Sequence, residues 1–79
     1  MERRKVNLDL NNIDEVTAFV SDMNSFGSDI NGYSDSITID VKSYLSVLGL
    51  GRREFYVEII TPREEEMERF REVIKRYEI

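Results

Sequence analysis

Residues 37–51, which read ITIDVKSYLSVLGLG, decide the fold that this chain of 79 residues is expected to adopt. Ile37, Ile39 and Val41 alternate with polar residues, which is typical of a strand with one buried face. A serine at position 43 then offers a helix N-cap, and glycines at positions 49 and 51 end the apolar segment that follows. The stretch therefore predicts a strand followed directly by a helix of two turns at most.

Three elements are expected upstream of this stretch. Alternating apolar residues predict a strand over Lys5–Leu10. Asn12 is expected to be the N-cap of an amphipathic helix, with Glu15 in a capping-box relation, and Gly27 is expected to end that helix. A short strand near Asp29–Tyr33 and a turn over 34–36 then lead into the quoted stretch. The inward stripe of the helix is predicted to contain Ile13, Val16, Phe19, Val20, Met23 and Phe26.

Two further elements follow it. Apolar residues at positions 55, 57 and 59 predict a strand from Arg53 to Ile60. Thr61 is expected to be the N-cap of a final helix, with Pro62 at its first position and Glu64 completing a capping box. The inward stripe of this helix is predicted to contain Met67, Phe70, Ile74 and Tyr77.

The predicted order is β-α-β-β-α-β-α in a single domain over 1–79. Four strands in an antiparallel sheet, with three helices on one face, give an α+β open-faced β-sandwich. A ferredoxin-like arrangement uses nearly the same order but needs a second helix about as long as the first. The predicted helix lengths favour the open-faced sandwich.

Composition excludes several classes of function. The chain has 11 basic and 16 acidic residues, a net charge of −5, and neither cysteine nor histidine. Disulfides, thiolate metal sites and phosphohistidine chemistry are therefore excluded. An acidic domain gains nothing from counterion release, so nucleic acid is not an expected partner. No apolar stretch approaches the length of a membrane span, and the basic start leads into no apolar segment, so the expected location is the cytoplasm, with no membrane contact and no cofactor.

The quoted stretch resembles HPr, the phosphocarrier protein of the bacterial sugar phosphotransferase system. That family shows a strand, a Lys-Ser pair, an apolar two-turn helix ending in a Leu-Gly pair, a further strand and a final helix. The element order agrees from about Lys5 to Tyr77, nearly the whole chain. The resemblance implies an HPr-like open-faced β-sandwich and a bacterial protein connected with the phosphotransferase system.

The chain departs from the family where the chemistry takes place. HPr proteins accept a phosphoryl group from Enzyme I on a histidine at the start of the first helix, and that position falls near Asn12. The family's following arginine and proline positions fall on Asp14 and Glu15. An asparagine amide is not nucleophilic at neutral pH, and two carboxylates repel a phosphate. The residues therefore favour an HPr-like domain that is not an enzyme and acts by protein binding.

Ser43 is the family feature that remains. In Gram-positive relatives the matching serine is phosphorylated by an ATP-dependent HPr kinase, and a helix N-terminus tolerates the added charge. A serine between a strand and a helix also serves as an N-cap, which contributes about 1 kcal/mol to stability. Both interpretations stay open, and they are compatible.

The short helix is also expected to carry a docking patch. The family displays an apolar patch around this serine, and the matching side chains here are Tyr44, Leu45 and Leu48, whereas Val47 and Leu50 are expected to face the sheet. Some of the three could instead belong to the core of so small a domain.

Three functions are consistent with these observations. The first is a non-catalytic binding or regulatory module whose protein partner, for example HPr kinase or a transcription regulator, contacts the start of the first helix and the short second helix. The second is a phosphocarrier or regulatory component phosphorylated on Ser43. The third is a ferredoxin-like domain that senses a small molecule, which requires a second helix of three turns or more.

Overall fold

The predicted element order is confirmed. The structure, a computed structural model, describes every residue from Met1 to Ile79. Its elements are β1 (Glu2–Asn7), α1 (Ile13–Asn24), β2 (Asp29–Ser34), β3 (Ile37–Ile39), α2 (Tyr44–Leu50), β4 (Glu54–Ile60) and α3 (Glu64–Ile74).

The four strands form one antiparallel sheet in the order β1-β4-β2-β3. Val6 of β1 lies opposite Phe55 of β4, and Gly32 of β2 lies opposite Val57 of β4. Because residues two apart on a strand share a face, this register brings the apolar positions of all strands to the same side. The chain after α3 covers the free edge of β1, where the Asn7 amide donates to the Tyr77 carbonyl at 2.8 Å.

One hydrophobic core lies between the sheet and the helices. Phe19 of α1 is fully buried and makes edge-to-face contacts with Phe55 and Tyr77, at ring-centroid distances of 5.9 and 5.1 Å. The other face of the sheet carries polar and aromatic side chains, and Tyr56 there is 43% exposed. The molecule is therefore an α+β open-faced sandwich, as predicted. The core residues are Val6, Leu8, Val16, Phe19, Met23, Phe26, Ile30, Val41, Val47, Phe55, Val57, Ile59, Met67, Phe70, Ile74 and Tyr77.

The first strand begins earlier than predicted. β1 covers Glu2–Asn7 rather than Lys5–Leu10, because its charged start pairs with the far end of β4, where Glu2 lies opposite Ile59. Ion pairs hold this part of the strand: Arg4 contacts the carboxylates of Glu2 and Glu78. Leu8 lies beyond the strand but is still fully buried.

The first helix ends before Gly27. Its last residue is Asn24, and Ser25 is the C-cap, whose hydroxyl donates to the Asp22 carbonyl at 2.6 Å. Of the predicted stripe, Ile13 points outward and is 65% exposed, whereas the members further along the helix face the core.

The predicted cap of the last helix is wrong. Arg63, not Thr61, is the N-cap, and it makes no side-chain capping bond. Thr61 is buried, and its hydroxyl accepts a hydrogen bond from the Arg63 amide at 3.1 Å, which shapes the turn before the helix. The helix consequently starts at Glu64, two residues after Pro62. Its predicted inward stripe is confirmed.

The helix lengths bear on two further expectations. α2 has seven residues and α1 has twelve, so the second helix falls short of the three turns that a ferredoxin-like sensor requires. None of the three helices combines the length and the apolarity that crossing a membrane would take.

Candidate docking surface on the first two helices

The short helix α2 is capped at both ends as its sequence predicts. The Ser43 hydroxyl accepts a hydrogen bond from the Ser46 amide at 3.3 Å, which is the N-cap contact. At the other end Gly51 adopts a left-handed conformation with φ of 69° and donates its amide to the Leu48 carbonyl. No residue from Tyr44 to Leu50 is charged.

The predicted patch on α2 divides between surface and core. Leu45 is 79% exposed. Tyr44 and Leu48 are half-buried and pack against the core. Val47 is fully buried, and Leu50 is half-buried against the same core. Leu45 is thus the most exposed apolar side chain of the patch, and its two neighbours combine a core contact with a partly accessible surface.

Hydrogen bonds fix the start of α2 to the end of α1. The Asn24 side-chain amide donates to the carbonyls of Val20 and Lys42, both at 2.9 Å. The Lys42 ammonium donates to the carbonyls of Phe26 and Ser28, also at 2.9 Å each. Lys42, the lysine of the Lys-Ser pair, therefore has a structural role.

Asn12 lies at the opposite end of α1. It is exposed, and its side-chain oxygen accepts a hydrogen bond from the Glu15 amide at 3.2 Å, which confirms its role as N-cap. The predicted capping box is only half formed, because the Glu15 carboxylate accepts from the Asp9 amide at 2.6 Å instead of from Asn12. The twelve residues of α1 separate Asn12 from the region of Ser43 by about 18 Å. Asn12 and Ser43 therefore do not form one site.

The outward side of α1 differs from that of α3. Ile13, Thr17 and Ser21 follow one another at four-residue spacing, and all three are exposed. Neither α1 nor α2 contains a basic residue. In α3, by contrast, seven of eleven residues are charged, the usual composition of a helix surface that faces water. We call the exposed sides of α1 and α2, which contact each other, the α1–α2 surface.

One buried carboxylate was not anticipated from the sequence. Glu66 is 5% exposed and accepts hydrogen bonds from the Ser28 hydroxyl at 2.6 Å and the Gly27 amide at 3.1 Å. These bonds, the Ser28 hydroxyl first, lower the pKa of the Glu66 carboxyl despite the desolvation that raises it. Glu66 follows two exposed glutamates in the first turn of α3, where any carboxylate interacts favourably with the helix dipole, so its sequence position does not indicate burial. The contact fastens α3 to the loop after α1.

Acid should therefore loosen this contact. A carboxyl whose pKa is lower in the folded than in the unfolded state stabilises the fold above its ordinary pKa of 4.5, and that contribution is lost as the pH falls through the folded value. We expect Glu66→Gln to lower the melting temperature by about 4–8 °C at neutral pH. Below pH 4.5, the melting temperature of this variant should fall less steeply with falling pH than that of the unchanged chain. Glu65→Gln, at an exposed neighbour, is the control. Equal melting curves for both variants across this range would contradict the role assigned to Glu66.

The potential ligands for metal do not assemble, since no three acidic side chains come together in a group able to hold a metal ion. No model of a known protein family matches the chain, and no curated protein matches it in a search of full sequences.

Proposed function

We propose that this chain is an HPr-like regulatory module of the bacterial cytoplasm that acts by binding a protein partner, without catalysis, through the α1–α2 surface. The observation that carries the proposal is α2 itself: a helix without a charged residue, with Leu45 79% exposed, in a chain of which 34% is charged. Large apolar side chains displayed to water on an uncharged surface are typical of interaction sites.

The start of α1 extends the same surface. Ile13 is 65% exposed there, so both helices display a large apolar side chain. Other exposed apolar residues lie elsewhere: Ile37 is on the edge strand β3 and Ile60 is at the end of β4. Single exposed apolar residues are ordinary on protein surfaces, but α1 and α2 in addition contain no basic residue of their own.

The position of Asn12 supports binding over phosphoryl transfer. Its amide oxygen already caps α1, and the carboxylate of Glu15 occupies the Asp9 amide close by. The amide of Asn12 is not a nucleophile that takes up a phosphoryl group as a histidine does. The capped helix start is compatible with contact to a partner.

Substitution of Leu45 tests the proposal. Leu45→Ser should weaken binding to a partner such as HPr kinase or a transcription regulator by at least about tenfold, the loss expected for a central apolar contact. Ile60→Ser, at an exposed apolar residue on the uncovered side of the sheet, is the matched control and should bind like the unchanged chain. Isothermal titration of both variants checks this, and equal affinities would contradict the docking role.

A second candidate function is regulation by phosphorylation of Ser43. The observation that favours it is that the half-buried hydroxyl makes a single hydrogen bond of 3.3 Å, as an acceptor, so its proton is not donated within the protein. Incubation with HPr kinase and ATP should add a phosphoryl group that intact-mass analysis detects and that Ser43→Ala abolishes. An unchanged mass under conditions that modify an ordinary HPr protein would refute this second function.

A further inference from the structure

We propose that the partner segment bound by the α1–α2 surface is a basic amphipathic helix, with apolar side chains flanked by lysine or arginine. The inference rests on the proposed function and specifies the chemistry of the partner. It follows from how the charges of the chain are distributed and paired.

The basic residues are distributed unevenly along the chain. Between Val6 and Gly51 the chain has one basic residue, Lys42; the other ten lie within 3–5 and 52–76. The Lys42 ammonium is directed to the carbonyls of Phe26 and Ser28, both 2.9 Å away. Arg76, which contacts α1 from the end of the chain, is paired with the Asp22 carboxylate at 3.4 Å, so these two cations are already bonded within the protein.

Most acidic residues without an ion pair lie near the start of α1 or of α2. Ten of the sixteen acidic side chains form a salt bridge. Of the six that do not, four flank the start of α1 or of α2, and the other two lie on β2 and α3. The first four are Asp9, Asp14, Glu15 and Asp40; the other two are Asp29 and Glu68.

Charge complementarity selects the partner. The surface displays Ile13 and Leu45, and exposed carboxylates lie at Asp14, next to Ile13 in the chain, and at Asp40, four residues before α2 begins. A partner rimmed by lysine or arginine would pair with these carboxylates, whereas an acidic partner would be repelled. Because α1 is about 18 Å long, a helix of about three turns is long enough to lie along it and contact both ends. Docking of an amphipathic helix by its apolar face is a common mode of recognition.

Two synthetic peptides test this chemistry. Both are helical, about 18 residues long, with leucines at the same positions, and one carries lysine and the other glutamate at every polar position. In amide NMR spectra of the labelled chain, the lysine peptide should shift signals of α1 and α2 and should bind at least about threefold more weakly at physiological than at low ionic strength. The glutamate peptide should cause no such shifts.

Charge-matched variants test whether the affinity for the lysine peptide depends on where the unpaired acidic residues lie. Asp14→Asn combined with Asp40→Asn should reduce the affinity for the lysine peptide at least about threefold. Asp29→Asn combined with Glu68→Gln changes the net charge equally, at the two unpaired acids elsewhere, and should have little effect. Equal losses in both double variants, shifts confined to α3 or the sheet, or no binding of the lysine peptide would each overturn the proposal.

The outcome separates this inference from the proposed function. Preferential binding of the glutamate peptide to α1 and α2 would overturn the basic partner while keeping the docking surface. Unchanged binding of the lysine peptide by Leu45→Ser would count against the docking surface itself.

Discussion

Phe19→Ala is expected to be the most damaging single substitution, lowering the free energy of unfolding by about 3–5 kcal/mol. Phe19 is fully buried, and its ring links the sheet and the C-terminal segment through its contacts with Phe55 and Tyr77. A chain of 79 residues is expected to have a total stability of roughly 4–12 kcal/mol, so this loss removes a large part of it.

Urea unfolding followed by circular dichroism measures the effect. Phe19→Leu keeps most of the volume and should cost less than about 1.5 kcal/mol, which makes it the control for packing. Thr17→Ala, at an exposed position of the same helix, should change stability by less than about 0.5 kcal/mol. A loss below about 1 kcal/mol for Phe19→Ala would contradict the central place of this ring in the core.

Gly32→Ala is expected to have the second largest effect, a loss of about 1–3 kcal/mol. Gly32 lies in β2, and a Cβ added there would come within 2.7 Å of the side-chain carbons of both Ile39 and Val41. Both neighbours are branched at Cβ and have little freedom to move aside. Relief of the clash would shift β3 or the segment that leads into α2.

Gly49→Ala provides the matched control. Gly49 lies within α2, and a Cβ there would meet nothing within 4 Å. Alanine favours a helix more than glycine does, so this variant should gain about 0.5–1 kcal/mol. Opposite signs for the two glycine variants in urea unfolding support the close packing at Gly32, and a neutral Gly32→Ala would contradict it.

The elements with a strong periodic pattern could be predicted from the sequence. The serine before Tyr44 and the glycine at Gly51 correctly predict the ends of α2. The alternation over 37–41 correctly predicts the edge strand, but β3 covers only Ile37–Ile39, and Ile37 is 52% exposed rather than buried. These signals are local: side-chain caps and alternation depend on residues a few positions apart.

The ends of helices and strands that were predicted wrongly depend on contacts that local sequence spacing does not reveal. β1 starts at Glu2 because β4 and Glu78 provide partners for its charged residues, and neither is near in sequence. Thr61 resembles an N-cap, but its hydroxyl forms the preceding turn with the Arg63 amide. Local spacing alone does not distinguish these two uses of a threonine hydroxyl.

The candidate site could be predicted only in part. The local sequence and its resemblance to HPr predict Ser43 and Leu45 as candidate residues on the short helix. Two features could not be predicted without the tertiary structure: the hydrogen bonds from Lys42 to the loop after α1 and the burial of Glu66. Both depend on backbone carbonyls, amides and hydroxyls that converge only after folding.

Intact-mass analysis after incubation with Enzyme I and phosphoenolpyruvate tests most directly whether this HPr-like fold acts without phosphoryl transfer. An ordinary HPr protein that contains the histidine, present in the same reaction, shows that Enzyme I is active. The account predicts that this reference protein gains a phosphoryl group while the chain with Asn12 keeps its mass. A phosphoryl adduct on the chain would contradict the account and would show that the fold carries phosphate at a residue other than histidine.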